Sequence, residues 1–289
     1  MSYDAQVVAD SIAYGVRLTT MVATFPRIVL AEFNTHRVFS RNSASSRAIP
    51  VERRIEQIES DPFVPSAFAL NKAGMQAGDP LDEVQSELAR TIWKNACDAA
   101  VSNAKHLVKA GVHKQWANRL IETFAWHTVV VSFTESQNYW NLRDNPKAQP
   151  EIMAVTQLMR EAFDRSTPRE LYPGNWHLPF VTDPERLQYD TDDACVRLST
   201  ARAAAVSYER HMLQNFDKDM ARYDGLLSSG HMSPFEHAAR VADVSDLLRP
   251  EIAKHVASGF LGNFRLPWLQ HRKLIPGEDV FVDRDLVTS

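Results

Sequence analysis

Val16-Arg17-Leu18-Thr19-Thr20-Met21-Val22-Ala23-Thr24-Phe25-Pro26-Arg27-Ile28-Val29-Leu30 changes its character at Pro26. Up to Phe25 the stretch is rich in Val, Thr and Met, residue types that suit a pleated strand. Pro26 then suits the first turn of a helix, where its missing N–H costs no hydrogen bond. Ile28, Leu30, Ala31 and Phe33 give that helix a largely apolar body. It runs into Thr35-His36-Arg37 and then into a polar loop, Ser40 to Arg47.

Working outward, Asp79-Pro80 predicts a helix start, with Asp as N-cap and Pro at the first helical position. Leu81, Val84, Leu88, Ile92, Ala96, Ala99, Ala104 and Leu107 follow at helical spacing, and Gly111 stands where a glycine would end the helix. That is about eight turns. A second helix is expected over 113–122, then a buried strand from His127 to Phe133 through Val129-Val130-Val131. Thr134 to Gln137 fits a capping box for a helix carrying Asn138, Trp140 and Arg143. Residues 150–165 form an amphipathic helix, with Ile152, Val155, Leu158, Met159 and Phe163 on one stripe. The stretch 167–190, rich in Pro, Gly, Trp and Asp, reads as a boundary between a lobe of residues 1–185 and one of 186–289, the two intertwined as one domain. Helices are expected over 196–213 and 216–228.

Composition bounds the function. Lys+Arg is 32 and Asp+Glu is 36, so the net charge is 32 − 36 = −4. That balance disfavours a general nucleic-acid binder. The 289 residues, 44% hydrophobic and 24% charged, suit a soluble globular chain. Cys97 and Cys195 make no disulfide framework and no four-cysteine zinc site. No apolar run reaches the ~20 residues that span a bilayer, so no membrane partner is expected. The opening residues lack a basic start and an apolar core, which points to a reducing, cytoplasmic compartment.

Two polar clusters carry candidate chemistry. His36, Arg37, Ser40, Asn42, Ser45 and Arg47 follow directly on an apolar helix. Two readings stand for them: a solvated loop of capping residues, or a site whose guanidiniums take phosphate or a planar imide. Ser233-Pro234-Phe235-Glu236 fits a capping box, and helix N-termini also bind anions. Arg143 closes its helix, where the helix dipole alone accounts for it. No His-Glu-x-x-His pair and no glycine-rich phosphate loop occurs, so neither a zinc site nor a Rossmann site is expected. Cys97 reads as a core thiol.

Together these pieces resemble the flavin-dependent thymidylate synthase family. Its Arg-His-Arg-x-x-Ser-x-Asn-x-x-Ser-x-Arg signature is matched by Thr35 to Arg47, with Thr35 for the first Arg and Ser43 where the family has Glu. Ala117 to Ile121, Val129 to Phe133, Asn138 to Arg143 and Ala148-Gln149-x-Glu151 resemble the family's next motifs in order and spacing. The family's other half, Ala-Arg-x-Ser and His-x-Thr-Pro-Phe-Glu-His, is echoed by Ala203 to Ser207 and His231 to His237. Here that half comes last, so the order is permuted. Trp268 to Arg272 faintly echoes the His-Arg motif again.

The resemblance implies an α+β fold, a mostly antiparallel sheet flanked by long helices, and a homotetramer with shared active sites. It implies reductive C5-methylation of dUMP, with methylenetetrahydrofolate as carbon donor and FAD reduced by NADPH. Arg143 and Ser45 would be catalytic. Glu32, Ser45, Ser46, Arg47, Arg119 and Arg143 would bind the nucleotide, with Asn118 an alternative to Arg119. Thr35, His36, Arg37, Ser40, Asn42, Ser43, Ser132, Thr134, Asn138, Ser207, His231, Ser233 and Glu236 would line the FAD site. No metal is implied. Thr35, Ser43 and Lys147, the last where the family often has His, depart from the pattern. They keep open a hydroxymethylase, a dCMP-modifying relative, or a non-catalytic nucleotide- or flavin-binding homologue.

Overall fold

Tyr14 and Gly15 both take positive φ, 48° and 77°, the two-residue turn that matches the twist of a hairpin. They join β1 (Asp4–Ala13) to β2 (Val16–Pro26) in antiparallel register, Ala13 opposite Val16. This computed structural model describes residues 2–74, 76–189, 191–206, 215–249, 252 and 260–278. After β2 come a 3-10 turn at Arg27–Val29, the short α1 (Leu30–Phe33), β3 (Ser40–Ser43) and α2 (Val51–Ser60). Then follow α3 (Glu83–Lys109), α4 (Lys114–Leu120), β4 (Trp126–Phe133), α5 (Gln137–Arg143) and α6 (Pro150–Arg165). The remaining elements begin with β5 (Arg169–Glu170), β6 (Trp176–His177), α7 (Asp183–Gln188), α8 (Asp192–Ala205) and α9 (Phe216–Ser228). They end with β7 (Ala239–Val241), α10 (Val244–Leu247), β8 (Phe260–Leu261), β9 (Phe264–Arg265) and β10 (Trp268–Gln270).

The main sheet has the order β3-β4-β2-β1-β5. It is antiparallel except for β1 beside β5, so the α+β expectation holds with one parallel pair. β2 and β4 are buried along almost their whole length because both faces are covered. One face sends Met21, Ala23, Phe25, Val129, Val131 and Phe133 against Ile152, Val155 and Met159 of α6 and against Phe33, Phe39 and Tyr139. On the other face Val22 and Val130 meet Val206. A second sheet, β10-β7-β6, joins the 167–190 stretch to the last part of the chain.

Four expectations are corrected. The long helix begins at Glu83, capped by Asp82, whose side chain accepts from Gln85 N at 2.7 Å. Asp79-Pro80 does not start it, because Pro80 bridges Ala69 and Leu81 N is taken by Phe68 O. The buried face of α3 is Trp93, Cys97, Val101 and Ala104, set against Val51, Ile55 and Ile58 of α2, while Val84, Leu88 and Ile92 face outward. Thr134 does not cap α5, since its Oγ1 accepts from Arg265 N at 3.0 Å. Ser233 begins a 3-10 turn over Ser233–Glu236 and caps nothing, its hydroxyl being used elsewhere. Of the helix expected over 196–213, residues up to Ala205 are seen in α8, and 207–214 lie outside the described residues. No helix among the described residues is long and apolar enough to cross a membrane.

Candidate functional site

β4 delivers the chain into α5, and the last residue of α5 is Arg143. Its guanidinium turns back onto the loop before β3. Nε donates to His36 Nε2 at 3.1 Å, and Nη2 donates to Thr35 Oγ1 at 3.1 Å and to Glu32 O at 3.4 Å. Burial, with the Arg143 and Arg41 cations beside it, pushes the His36 imidazole down to about 4. It is therefore neutral at pH 7, which is the state in which Nε2 can accept. The ring stands edge-on to Tyr139 at 4.8 Å. Arg41 closes the same loop, its Nη1 donating to the carbonyls of Asn34 at 2.9 Å and His36 at 3.0 Å. Glu32 Oε2 is buried and meets no donor among the described residues.

At the far end of β3 the chain enters a cleft of about 560 Å³. Ser43, Ser45 and Arg47 form one wall, His113 and Lys114 another, and His231 and Ser233 a third. Ser233 Oγ donates to Asn42 Oδ1 at 3.1 Å, and Asn42 Nδ2 donates to Ala203 O at 2.9 Å. One amide thus ties together three stretches remote in sequence. Among the described residues the wall holds Arg47 and Lys114 but no carboxylate. Cations, hydroxyls and an amide without acids make a site for an anionic, polar ligand.

The loop of the cleft is fixed from behind. Asn118 is buried and donates to Ser46 O at 2.8 Å and Ile49 O at 2.9 Å. Ser46 Oγ points inward to Glu122, which also pairs with Arg27 at 3.1 Å. Arg119, one residue on from Asn118, is exposed.

Between the two sheets runs a buried polar chain. Ser11 Oγ bonds His177 Nδ1, His177 Nε2 bonds Thr20 Oγ1, and Thr20 bonds Ser132 Oγ, which bonds His237 Nδ1; every distance is 2.6–2.8 Å. Burial pushes both imidazoles down to about 3, so both are neutral. Ser40 Oγ accepts from Gln270 Nε2 at 2.7 Å, and Gln270 also donates to Glu236 O. Glu236 carries an ion pair to Arg272.

The structure therefore sorts the sequence-derived candidates. Asn42, Ser43, Ser45, Arg47, His231 and Ser233 share the cleft. Glu32, Thr35, His36 and Arg143 share the other end of β3. Ser46, Ser40 and Ser132 are buried in supporting networks, and Glu236 is salt-bridged. Arg37 and Asn138 are exposed, and Thr134 is engaged by β9. Ser207 lies outside the described residues. The sequence reading missed His113 and Lys114, which line the cleft, and Arg41, which fixes the His36 loop. A basic pair immediately after the Gly111 stop was the available signal for the first two.

A sequence model of one family, described as thymidylate synthase complementing protein (Thy1), matches residues 9–169. Comparison with curated proteins gives no match. Two solved structures of a UMP/dUMP methylase, PolB from Streptomyces cacaoi, are similar to the chain. The one bound with 5-Br UMP shows 14% identity over 57% of this chain and 89% of that one, at a TM-score of 0.48. The one bound with 5-Br dUMP shows 15% identity over 57% and 90%, at 0.45. With more than half of its length matched by the family model, this chain belongs to the thymidylate synthase complementing proteins, the flavin-dependent thymidylate synthase family.

Proposed function

We propose that the chain is an FAD-dependent thymidylate synthase that methylates C5 of dUMP, with methylenetetrahydrofolate as carbon source and NADPH as reductant. One observation carries the reading: Ser233, from the His231–His237 motif, bonds Asn42, from the Thr35–Arg47 motif, and both line a cleft that holds cations and, among the described residues, no carboxylate. Two motifs far apart in sequence thus line one anion-suited cleft.

Arg47 and Lys114 would hold the nucleotide phosphate, with Ser45 completing its hydrogen bonds. Arg143 would stabilise negative charge on the pyrimidine edge. A cation fixed by His36 and Thr35 before substrate arrives needs little reorganisation when charge develops. The same cleft, with no carboxylate among its described lining residues, also suits the pyrophosphate of FAD. Asn42, Ser43, His231 and Ser233 are the residues that would hold it, with His36 and Arg37 from the preceding loop. When bound, the flavin supplies the redox chemistry.

Arg143 is not among the residues lining the cleft that Arg47 lines. This supports a homo-oligomer, proposed as a tetramer, in which Arg143 of one chain completes the cleft of another. A second reading has a specific observation in its favour. Glu32 Oε2 is buried beside the Arg143 cluster and meets no donor among the described residues. A carboxylate at that edge would accept an N–H, which uracil offers at N3; set against position 4 it would instead favour an amino-bearing ring such as that of dCMP, whose N–H stands where uracil has an acceptor.

Purification followed by a visible absorption spectrum and an assay of C5-hydrogen release from dUMP and dCMP tests both. A flavin spectrum with release from dUMP is expected. Release from dCMP alone moves the reading to the second form. A colourless protein that binds neither FAD nor nucleotide overturns both.

A further inference from the structure

Arg41 stands in β3 between two residues that face the opposite way. Ser40 accepts from Gln270, and Asn42 bonds Ser233, both from the last part of the chain. Side chains alternate along a strand, so Arg41 turns to the other side, onto the loop between α1 and β3. There its Nη1 donates to three carbonyls, Phe33 O at 3.4 Å, Asn34 O at 2.9 Å and His36 O at 3.0 Å. Arg143 grips the same loop from α5, and its partners Glu32 O, Thr35 Oγ1 and His36 Nε2 all lie between residues 32 and 36. His36 is the residue the two guanidiniums share: Arg41 holds its carbonyl, and its ring holds Arg143.

Capping the end of α1 accounts for the donors of Arg41 but not for its charge, since a neutral amide would also serve. Among the described residues neither Arg41 nor Arg143 is ion-paired, and Glu236, whose charge reaches Arg41, is already held by Arg272. The charged and titratable groups around the His36 ring are Arg41 of β3, Arg143 and Tyr139 of α5, Glu32 of α1 and Arg37 of its own loop. Burial, Arg143 and Arg41 together hold the ring near 4. Without Arg41 one cation is gone and the loop is looser, so the ring's hold on a proton rises toward the ordinary 6.5. Once protonated, Nε2 no longer accepts from Arg143.

We infer that Arg41 is a positioning residue: by fixing the His36 carbonyl it sets the imidazole to accept from Arg143, and so aims the Arg143 guanidinium. The catalytic side of this role rests on the function proposed above for Arg143. Position 41 is an unspecified one in the Thr35–Arg47 signature, so the motif itself does not call for this arginine.

Arg41→Met and Arg41→Lys, each with and without Arg143→Ala, test it in the full chain. Arg41→Met is expected to lower kcat by ~10–10²-fold with little change in the KM for nucleotide, as a misaimed group does. Arg41→Lys, which keeps a charged donor, is expected to recover most of that loss. In the Arg143→Ala background Arg41→Met is expected to cost nothing further, because one residue acts through the other. NMR of ¹³C-labelled histidine, with the His36 signal identified by its loss in His36→Gln, is expected to show the ring titrating near 4 in the wild type and well above that in Arg41→Met. Losses from Arg41→Met and Arg143→Ala that add in full, or a His36 ring that titrates alike with and without Arg41, overturn the inference. The NMR measurement needs no turnover, so it judges Arg41 even where a wild type inactive on dUMP counts against the proposed function. Circular dichroism melting checks that each variant folds; should Arg41→Met not fold, Arg41→Gln, which keeps a carbonyl donor, takes its place.

Discussion

The contact between Arg143 Nε and His36 Nε2 requires a neutral imidazole, and burial beside two guanidiniums supplies one. Arg143 could have been a solvated end-of-helix cation, as its sequence position alone allows. Instead it is pinned at three points, and this is what a charge-stabilising group needs. On the proposed function, Arg143→Ala lowers kcat by ~10²–10³ with little loss of folded stability, because the group is partly exposed. An Arg143→Ala enzyme of unchanged kcat would remove the role. Asn118 makes the converse case. It lies behind the cleft and touches no wall, yet its amide holds the carbonyls of Ser46 and Ile49. Asn118→Ala is expected to cost about 1–3 kcal/mol in urea unfolding. It should also weaken nucleotide binding by loosening Arg47. A variant of wild-type stability would show that the loop holds itself. Neither contact could be read from sequence, since each joins residues 69 or more positions apart.

Elements were legible where one periodicity had one physical cause. β2, β4 and α6 lie where the hydrophobic pattern places them, because each is buried in a single consistent way. β1 escaped notice because Gln6, Asp10 and Ser11 interrupt its apolar residues; the turn pair Tyr14-Gly15 was the better signal. The pattern of α3 was visible, but its two stripes are equivalent in sequence. Only the packing of α2 and α4 decides which one the chain buries in itself. The polar chain Ser11–His177–Thr20–Ser132–His237 was invisible in kind, since a buried neutral histidine and a surface one are spelled alike. It has a consequence in pH. Both imidazoles lie near 3 when folded, below the ordinary 6.5 of the unfolded chain. The unfolded state therefore binds more protons, and stability is full above about pH 6.5 and lost as pH falls from there toward 3. Urea midpoints taken between pH 7 and 4 should fall. His237→Phe, which has no proton to take up, should flatten that slope. An identical slope in the variant would mean that His237 does not carry it.

At the scale of the whole molecule, the candidate residues divide between the two ends of a four-residue strand. Asn42, Ser45 and Arg47 open onto the cleft beyond β3, while His36 and Arg143 gather before it. A nucleotide with its phosphate on Arg47 cannot also place its ring on the same chain's Arg143 unless both guanidiniums border one cavity, and Arg143 does not line the cleft. The motif was legible as a set of residues; its division was not, because a linear signature records which residues act together but not whose copy supplies each. If subunits share the site, Arg47→Ala and Arg143→Ala damage different halves of it. Each variant alone should be strongly impaired. Mixed under conditions that let subunits exchange, they should regain activity, because some sites then draw an intact Arg47 from one parent and an intact Arg143 from the other. With random exchange that fraction is roughly a quarter of sites. Recovery toward that value in a C5-hydrogen release assay supports sharing between chains. Mixtures no more active than their parents, despite exchange seen by mass, would return both arginines to a single chain and require a closure of the His36 loop toward the cleft.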